Sequence, residues 1–193
     1  NGSTDYLSVP SSALLQVGAV NFTIECWINP TTTLTTGSPQ RVIIAKWNTS
    51  QLELLIDYYS SGNLRVADSD QFVMQFACTL NAGTWYHIAL VRSGSISTLY
   101  LNGVYAVSYA MSFRAGTAPL LIGWKSDGGG SERWLGYISN ARIVKGTAVY
   151  TGAFTPPSAP LTAITNTSLL TLQDTTFKDN SANALAITAS GTP

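Results

Sequence analysis

Apolar and polar residues alternate in short runs along most of the chain, and Gly, Ser, Asn or Pro interrupts them roughly every 8 to 14 residues. The clearest pair of runs lies at 84–103. Trp85, His87, Ala89 and Val91 alternate with Tyr86, Ile88, Leu90 and Arg92. Ser93-Gly94-Ser95 then turns the chain, and Thr98-Leu99-Tyr100-Leu101 runs back. Asn102-Gly103 supplies a second turn, because these residue types tolerate positive φ best. Both strands carry apolar side chains at odd and even positions, so both faces are expected to be covered. That predicts a central hairpin in a two-layer sheet structure.

The other runs follow the same logic. Residues 5–10 predict a strand stopped by Pro10, and 12–15 a short helical turn. At 21–30 a strand is predicted with Phe22, Ile24, Cys26 and Ile28 on one face and Thr23, Glu25 and Trp27 on the other. Residues 42–47 form a short buried strand, 51–59 and 63–67 a hairpin, and 72–80 a strand with Phe72, Met74, Phe76 and Cys78 on one face. Further strands are predicted at 105–111, 120–123 and 134–144. No helix of ten residues is predicted. The fold class is all-β: a two-sheet antiparallel jelly-roll sandwich, with 22–28 beside 136–144.

Length and composition narrow the partners. At 193 residues the chain suits one undivided domain, with 155–193 as a C-terminal extension packing on or leading out of the sandwich. Charged residues are only 10%, against about 25% in an average soluble domain. Ten basic and ten acidic side chains cancel, and no Lys/Arg cluster offers a face for nucleic acid or anionic membrane. No run of about 18 apolar residues is present, so no membrane insertion is expected. No signal-peptide pattern opens the chain. Cys26 and Cys78 can pair or stay as free buried thiols; their apolar strand contexts favour free thiols.

The run W-Y-H-x-A-x-V-R, a small turn and L-Y-x-N-G resembles the core hairpin of laminin G-like domains, which are concanavalin A-like jelly rolls. Leu121-Ile122-Gly123 followed by Gly136-Tyr137-Ile138-Ser139-Asn140-Ala141-Arg142-Ile143 is similar to their closing strands. The general resemblance covers about residues 1–175. Val144 to Thr151, Phe154-Thr155-Pro156-Pro157, 163–170 and Phe177-Lys178-Asp179-Asn180-Ser181 resemble a tail frequent in bacteriophage structural proteins that carry such domains. This resemblance covers roughly 140–193. It implies a virion or extracellular location and a unit of a longer chain. The partners it implies are cell-surface carbohydrate or neighbouring virion subunits, with self-association also open.

Candidate chemistry is sparse. His87 is the single histidine, set inside an apolar strand, where packing and hydrogen bonding are expected rather than general-base work. No G-x-S-x-G elbow is present, and no E-x-D-x-x-E string of the kind jelly-roll hydrolases carry. Glu53 and Asp57, four apart in one strand, stand about 13 Å apart by strand geometry, too far for paired carboxylate chemistry. The chain reads as a non-enzyme. One histidine and two distant cysteines exclude an ordinary zinc site. Asp5, Asp174 and Asp179 are candidate calcium ligands if the termini meet, since relatives hold a structural calcium between such loops.

Glycan recognition is the leading functional reading, because an aromatic face can stack on a pyranose while nearby polar groups bond its hydroxyls. Two stretches mix these residue types. One is Trp124, Lys125, Asp127, Glu132, Arg133 and Trp134 around Gly128-Gly129-Gly130, and the other is Trp47 with Asp57 and Tyr59. The competing reading is that these rings cap the core. Other functions left open are a decoration module touching virion subunits and a secreted carbohydrate-binding domain of a larger enzyme. Sequons at Asn1, Asn21, Asn48 and Asn166 matter only in a secretory pathway.

Overall fold

A computed structural model describes residues 4–48, 51–68, 73–126 and 132–193. The strands are β1 (Tyr6–Val9), β2 (Phe22–Pro30), β3 (Arg41–Trp47), β4 (Leu52–Tyr59), β5 (Asn63–Ala67), β6 (Val73–Ala77) and β7 (Tyr86–Ser93). They continue with β8 (Ile96–Leu101), β9 (Val104–Tyr109), β10 (Leu120–Ile122), β11 (Gly136–Lys145), β12 (Thr167–Thr171) and β13 (Thr188–Ser190). One turn of 3-10 helix, Ala13–Leu15, is capped by the Ser12 hydroxyl. No helix among the described residues is long and apolar enough to cross a membrane.

Two antiparallel sheets face each other. One runs β13-β1-β10-β3-β4-β5-β6 and the other β12-β11-β2-β7-β8-β9. The expected pairing of 22–28 with 136–144 is present, with Ile28 opposite Ile138 and Ile24 opposite Ile143. Phe22, Ile24, Cys26 and Ile28 all enter the core between the sheets, where they meet Ile44, Ile56, Leu64, Leu90 and Leu120. Both cysteines are free thiols. Burial pushes the Cys26 thiol far up, as suits an inert core side chain.

The hairpin of β7 and β8 turns at Gly94 (φ 61°), and Asn102 (φ 52°) and Gly103 (φ 75°) make the following turn from β8 into β9. Its second apolar face is covered by chain rather than by a third sheet. Ala148, Tyr150 and Phe154 lie across Ala89, Val91 and Tyr100, forming a strap on the outer side of the six-stranded sheet. On the opposite outer surface Trp47 and Leu52 close over Val42, Ala45, Leu55 and Ala67.

The C-terminal extension is more than packing. Residues 167–171 and 188–190 are edge strands, β12 against β11 and β13 against β1, so each sheet includes part of it. Short polar runs such as Thr188-Ala189-Ser190 show no periodicity of their own; the partner strand supplies their order.

Candidate functional site

Of the residues singled out around the glycine loop, Trp124, Lys125, Glu132 and Arg133 pair with one another or with rings on the outer side of the seven-stranded sheet. Asp127 and Gly128-Gly129-Gly130 lie outside the described residues. The Lys125 ammonium sits 4.4 Å from the Trp47 ring centre and 2.7 Å from Glu132 Oε2, and Lys125 is buried. Arg133 spreads over Trp124 at 4.7 Å, and Trp124 in turn leans on Tyr6 with ring centres 4.7 Å apart. Arg65 makes two bonds to Asp57, at 2.9 and 2.5 Å, and stacks over Tyr59 at 3.9 Å. Gln40 donates to Asp57 as well. Burial raises the Asp57 carboxyl, with Arg65 and Gln40 pulling the other way. The structure therefore brings Trp47, Lys125 and Glu132 together.

Two of these residues are corrected by their burial. Trp134 is 3% exposed and belongs to the central core, its indole N–H donating to the Tyr137 carbonyl at 3.2 Å. Asp57 is fully buried. Neither offers a surface to a sugar. Trp124 and Tyr59 are half-buried beneath their arginines.

The carboxylates considered for calcium are committed elsewhere. Asp5 accepts from Thr4 and from the Thr192 amide, so the chain ends do meet. Asp179 accepts from the amides of Leu170, Ser181 and Leu185, and Asp174 from Thr176. Asp5 thus ties the two ends of the chain together while Asp174 and Asp179 hold turns of the C-terminal extension, and no cluster of three metal-ligating side chains occurs among the described residues.

The other charged cluster is buried under the strap. Arg142 grips Glu25 Oε1 through Nε (2.9 Å) and an Nη (2.6 Å), and the Tyr150 hydroxyl donates to Oε2 at 2.8 Å. His87 Nε2 stands 3.1 Å from the same Oε2, so an ionised Glu25 fixes the tautomer that carries its proton on Nε2. Burial alone would raise the Glu25 carboxyl. The bonds from His87, Arg142 and Tyr150 outweigh it and hold the group below its ordinary value. Glu25 and His87 are both fully buried, so neither is open to a substrate.

One surface was missed by sequence reasoning. Trp85, one residue before β7, and Tyr137, on β11, flank Asn29 of β2 on the outer side of the six-stranded sheet. Strands β7 and β11 are two spacings apart, about 9.5 Å. The two ring centres are only 6.5 Å apart, with planes tilted by 40°, so both rings lean inward over Asn29. They remain 43% and 64% exposed, while Asn29 keeps 8%. Among the described residues, the Asn29 amide, the Trp85 indole N–H and the Tyr137 hydroxyl make no hydrogen bond to another protein group. Half-buried Trp27 lies one pleat further along, its ring against His87 at 5.2 Å. An exposed aromatic pair over an unpartnered amide can stack on an apolar ring face and bond hydroxyls at its rim. The available signal was strand parity: Asn29, Trp85 and Tyr137 all take outward positions at strand ends.

A family model described as the concanavalin A-like lectin/glucanases superfamily matches residues 1–151. No curated protein sequence matches the chain. Among solved structures, a protein from Bacteroides ovatus assigned as carbohydrate-binding superposes with a TM-score of 0.69 at 16% identity, covering 98% of this chain. The chain spans 57% of that protein's length. The CBM40 of a Ruminococcus gnavus IT-sialidase, bound to α2,3 sialyllactose, gives 0.56 at 10% identity over 75% of this chain and 89% of its own. The binding domain of botulinum neurotoxin serotype D gives 0.55 at 13% identity over 78% and 38%. At these identities the likeness is one of fold.

Proposed function

We propose a carbohydrate-recognition role for this chain, which belongs to the concanavalin A-like lectin/glucanase superfamily. The module is non-enzymatic and holds a sugar on the shelf formed by Trp85, Asn29 and Tyr137. The observation that carries this reading is the exposed, inward-leaning pair of rings above an amide that no protein group satisfies. Unpartnered polar groups beside exposed aromatic surface are what a ligand of mixed apolar and hydroxyl character completes. The carbohydrate-binding assignments of the Bacteroides ovatus protein and of the CBM40 add support by analogy of fold. The placement we propose is a virion or tail-associated protein, recognising host-surface glycans. Its support is the phage-like wording of residues 140–193.

A second reading is favoured by a separate observation. Edge strand β9 presents Val104, Tyr105 and Tyr109 at 64, 56 and 50% exposure, with no charge along it. Such an edge suits contact with a neighbouring virion subunit.

The test is Trp85→Ala and Tyr137→Ala, assayed by glycan array and calorimetry beside a melting curve. Each variant is expected to lose about 1–2 kcal/mol of binding, the usual scale of an anchoring aromatic. Because both rings are exposed, stability should stay within about 0.5 kcal/mol of the parent. Parent-like binding by both variants sinks the shelf. Should Trp124→Ala abolish binding while they do not, the sugar sits on the glycine loop instead.

A further inference from the structure

The shelf that carries the proposed function also limits which sugars it can take, and this inference rests on that reading. Every polar atom it offers is neutral: one carboxamide, one phenol and the indole N–H groups of Trp85 and Trp27. The cations that lie over rings are elsewhere. Arg65 is on Tyr59, Lys125 on Trp47, and Arg133 on Tyr6 and Trp124. Among the described residues none lies over Trp85, Tyr137 or Trp27.

The Arg142 guanidinium on the same outer face is already used. Arg142 is buried, gives two bonds to Glu25 and donates a third to the Thr162 carbonyl at 2.9 Å. His87 is sealed between Trp27 and Phe154, with ring centres at 5.2 and 5.7 Å. A carboxylate set on the shelf would meet the negative faces of two rings without a counter-charge, and would lose its hydration for nothing. A neutral pyranose suffers neither cost. Its C–H face lies across the tilted rings, and its hydroxyls can both donate to and accept from the Asn29 amide, which a carboxylate can only accept from.

We infer that the Trp85–Asn29–Tyr137 shelf selects uncharged pyranosides and discriminates against glycans ending in an acidic sugar. This separates the chain from the CBM40 whose structure holds sialyllactose, although the two share a fold. Asn29 is the specificity residue in this scheme, because it is the group that reads hydroxyls while the rings supply area.

The experiment compares lactose with 3′-sialyllactose, two probes with the same neutral core that differ by one acidic residue, alongside maltohexaose and cellohexaose. Affinities are read by calorimetry and tryptophan fluorescence at about 50 and 500 mM NaCl, a range that screens surface charge. The expected result is binding of at least one neutral probe with less than a twofold change across salt. 3′-sialyllactose should bind no tighter than lactose. Asn29→Asp, which places a carboxylate on the shelf, should weaken neutral-sugar binding at least fivefold with the melting curve followed in parallel; Asn29→Ala, if the acid variant unfolds, should do the same. Tighter, salt-sensitive binding of 3′-sialyllactose overturns the inference and leaves carbohydrate recognition standing. No binding of any probe, with Trp85→Ala indistinguishable from the parent on whole cells, overturns both.

Discussion

Glu25→Ala is expected to destabilise the domain by about 3–5 kcal/mol, the scale seen when one partner of a buried ion pair is removed. For a chain of this size that corresponds to a fall in Tm of about 10 °C. The substitution leaves the Arg142 guanidinium buried without its carboxylate and strips the Tyr150 hydroxyl and His87 Nε2 of their acceptor. It also unfastens the strap at Tyr150, whose ring stacks on Phe154 with centres 3.6 Å apart. The Glu25 carboxyl is held below its ordinary value, so its contribution is present above the unfolded-state value and is lost as pH falls through the folded one. The parent should therefore lose stability on acidification below about pH 4.5, and the variant should show a shallower acid slope there. Urea unfolding between pH 3 and 7 measures both effects. The double variant Glu25→Leu with Arg142→Met should recover much of the loss, because it removes both charges together. A parent-like midpoint for Glu25→Ala would mean that the network is decorative.

This network also shows where the sequence was legible. Glu25 could be placed on the face opposite the core by alternation alone, and His87 assigned to packing from its apolar strand. What alternation could not supply was the third layer. Tyr150 and Phe154 come from an irregular stretch with no periodicity, and their target is set by shape and by one carboxylate rather than by pattern. The same limit hid β12 and β13. Thr167-Ser168-Leu169-Leu170-Thr171 has an apolar pair and little else, yet Leu169 reaches the core because Ile143 of β11 lies opposite. The hairpin of β7 and β8 and the pairing of β2 with β11 were legible because their residues carry a period of two over long runs.

The surface residues divide differently. Trp124, Lys125, Glu132 and Arg133 drew attention as an unusual concentration of aromatics and charges in a charge-poor chain. The structure accounts for the described part of that concentration through pairing within the loop and across to Trp47. The Trp85–Asn29–Tyr137 shelf was invisible in one dimension because its members lie 56 and 52 positions apart in order along the chain. Only the register of three strands makes them neighbours, and only their exposure separates them from core aromatics such as Tyr86 and Trp134.

That register depends on one glycine, and Gly136→Ala is the second large loss expected. Gly136 opposes Pro30 at the first pair of the β2–β11 ladder, with φ at 145°, a conformation that side-chain-bearing residues rarely adopt. A Cβ there would stand 2.0 Å from the Asn29 carbonyl oxygen and 2.8 Å from Pro30 Cα. Both are backbone atoms of a strand held on either side by β7 and β11, so they cannot swing away as a side-chain tip could. Strained φ costs about 1–3 kcal/mol and forced overpacking about 1–3 more, which gives a loss of about 2–6 kcal/mol. The loss should appear as a lower urea midpoint with an unchanged slope. The clash falls beside Asn29 and Tyr137, so in whatever fraction remains folded the ladder must open at the shelf, and sugar affinity should drop further than folding alone explains. Gly152→Ala serves as the control, since nothing stands within 4 Å of a Cβ at that position. Equal stability of the two alanine variants would show that β2 and β11 do not need the close approach seen at Gly136.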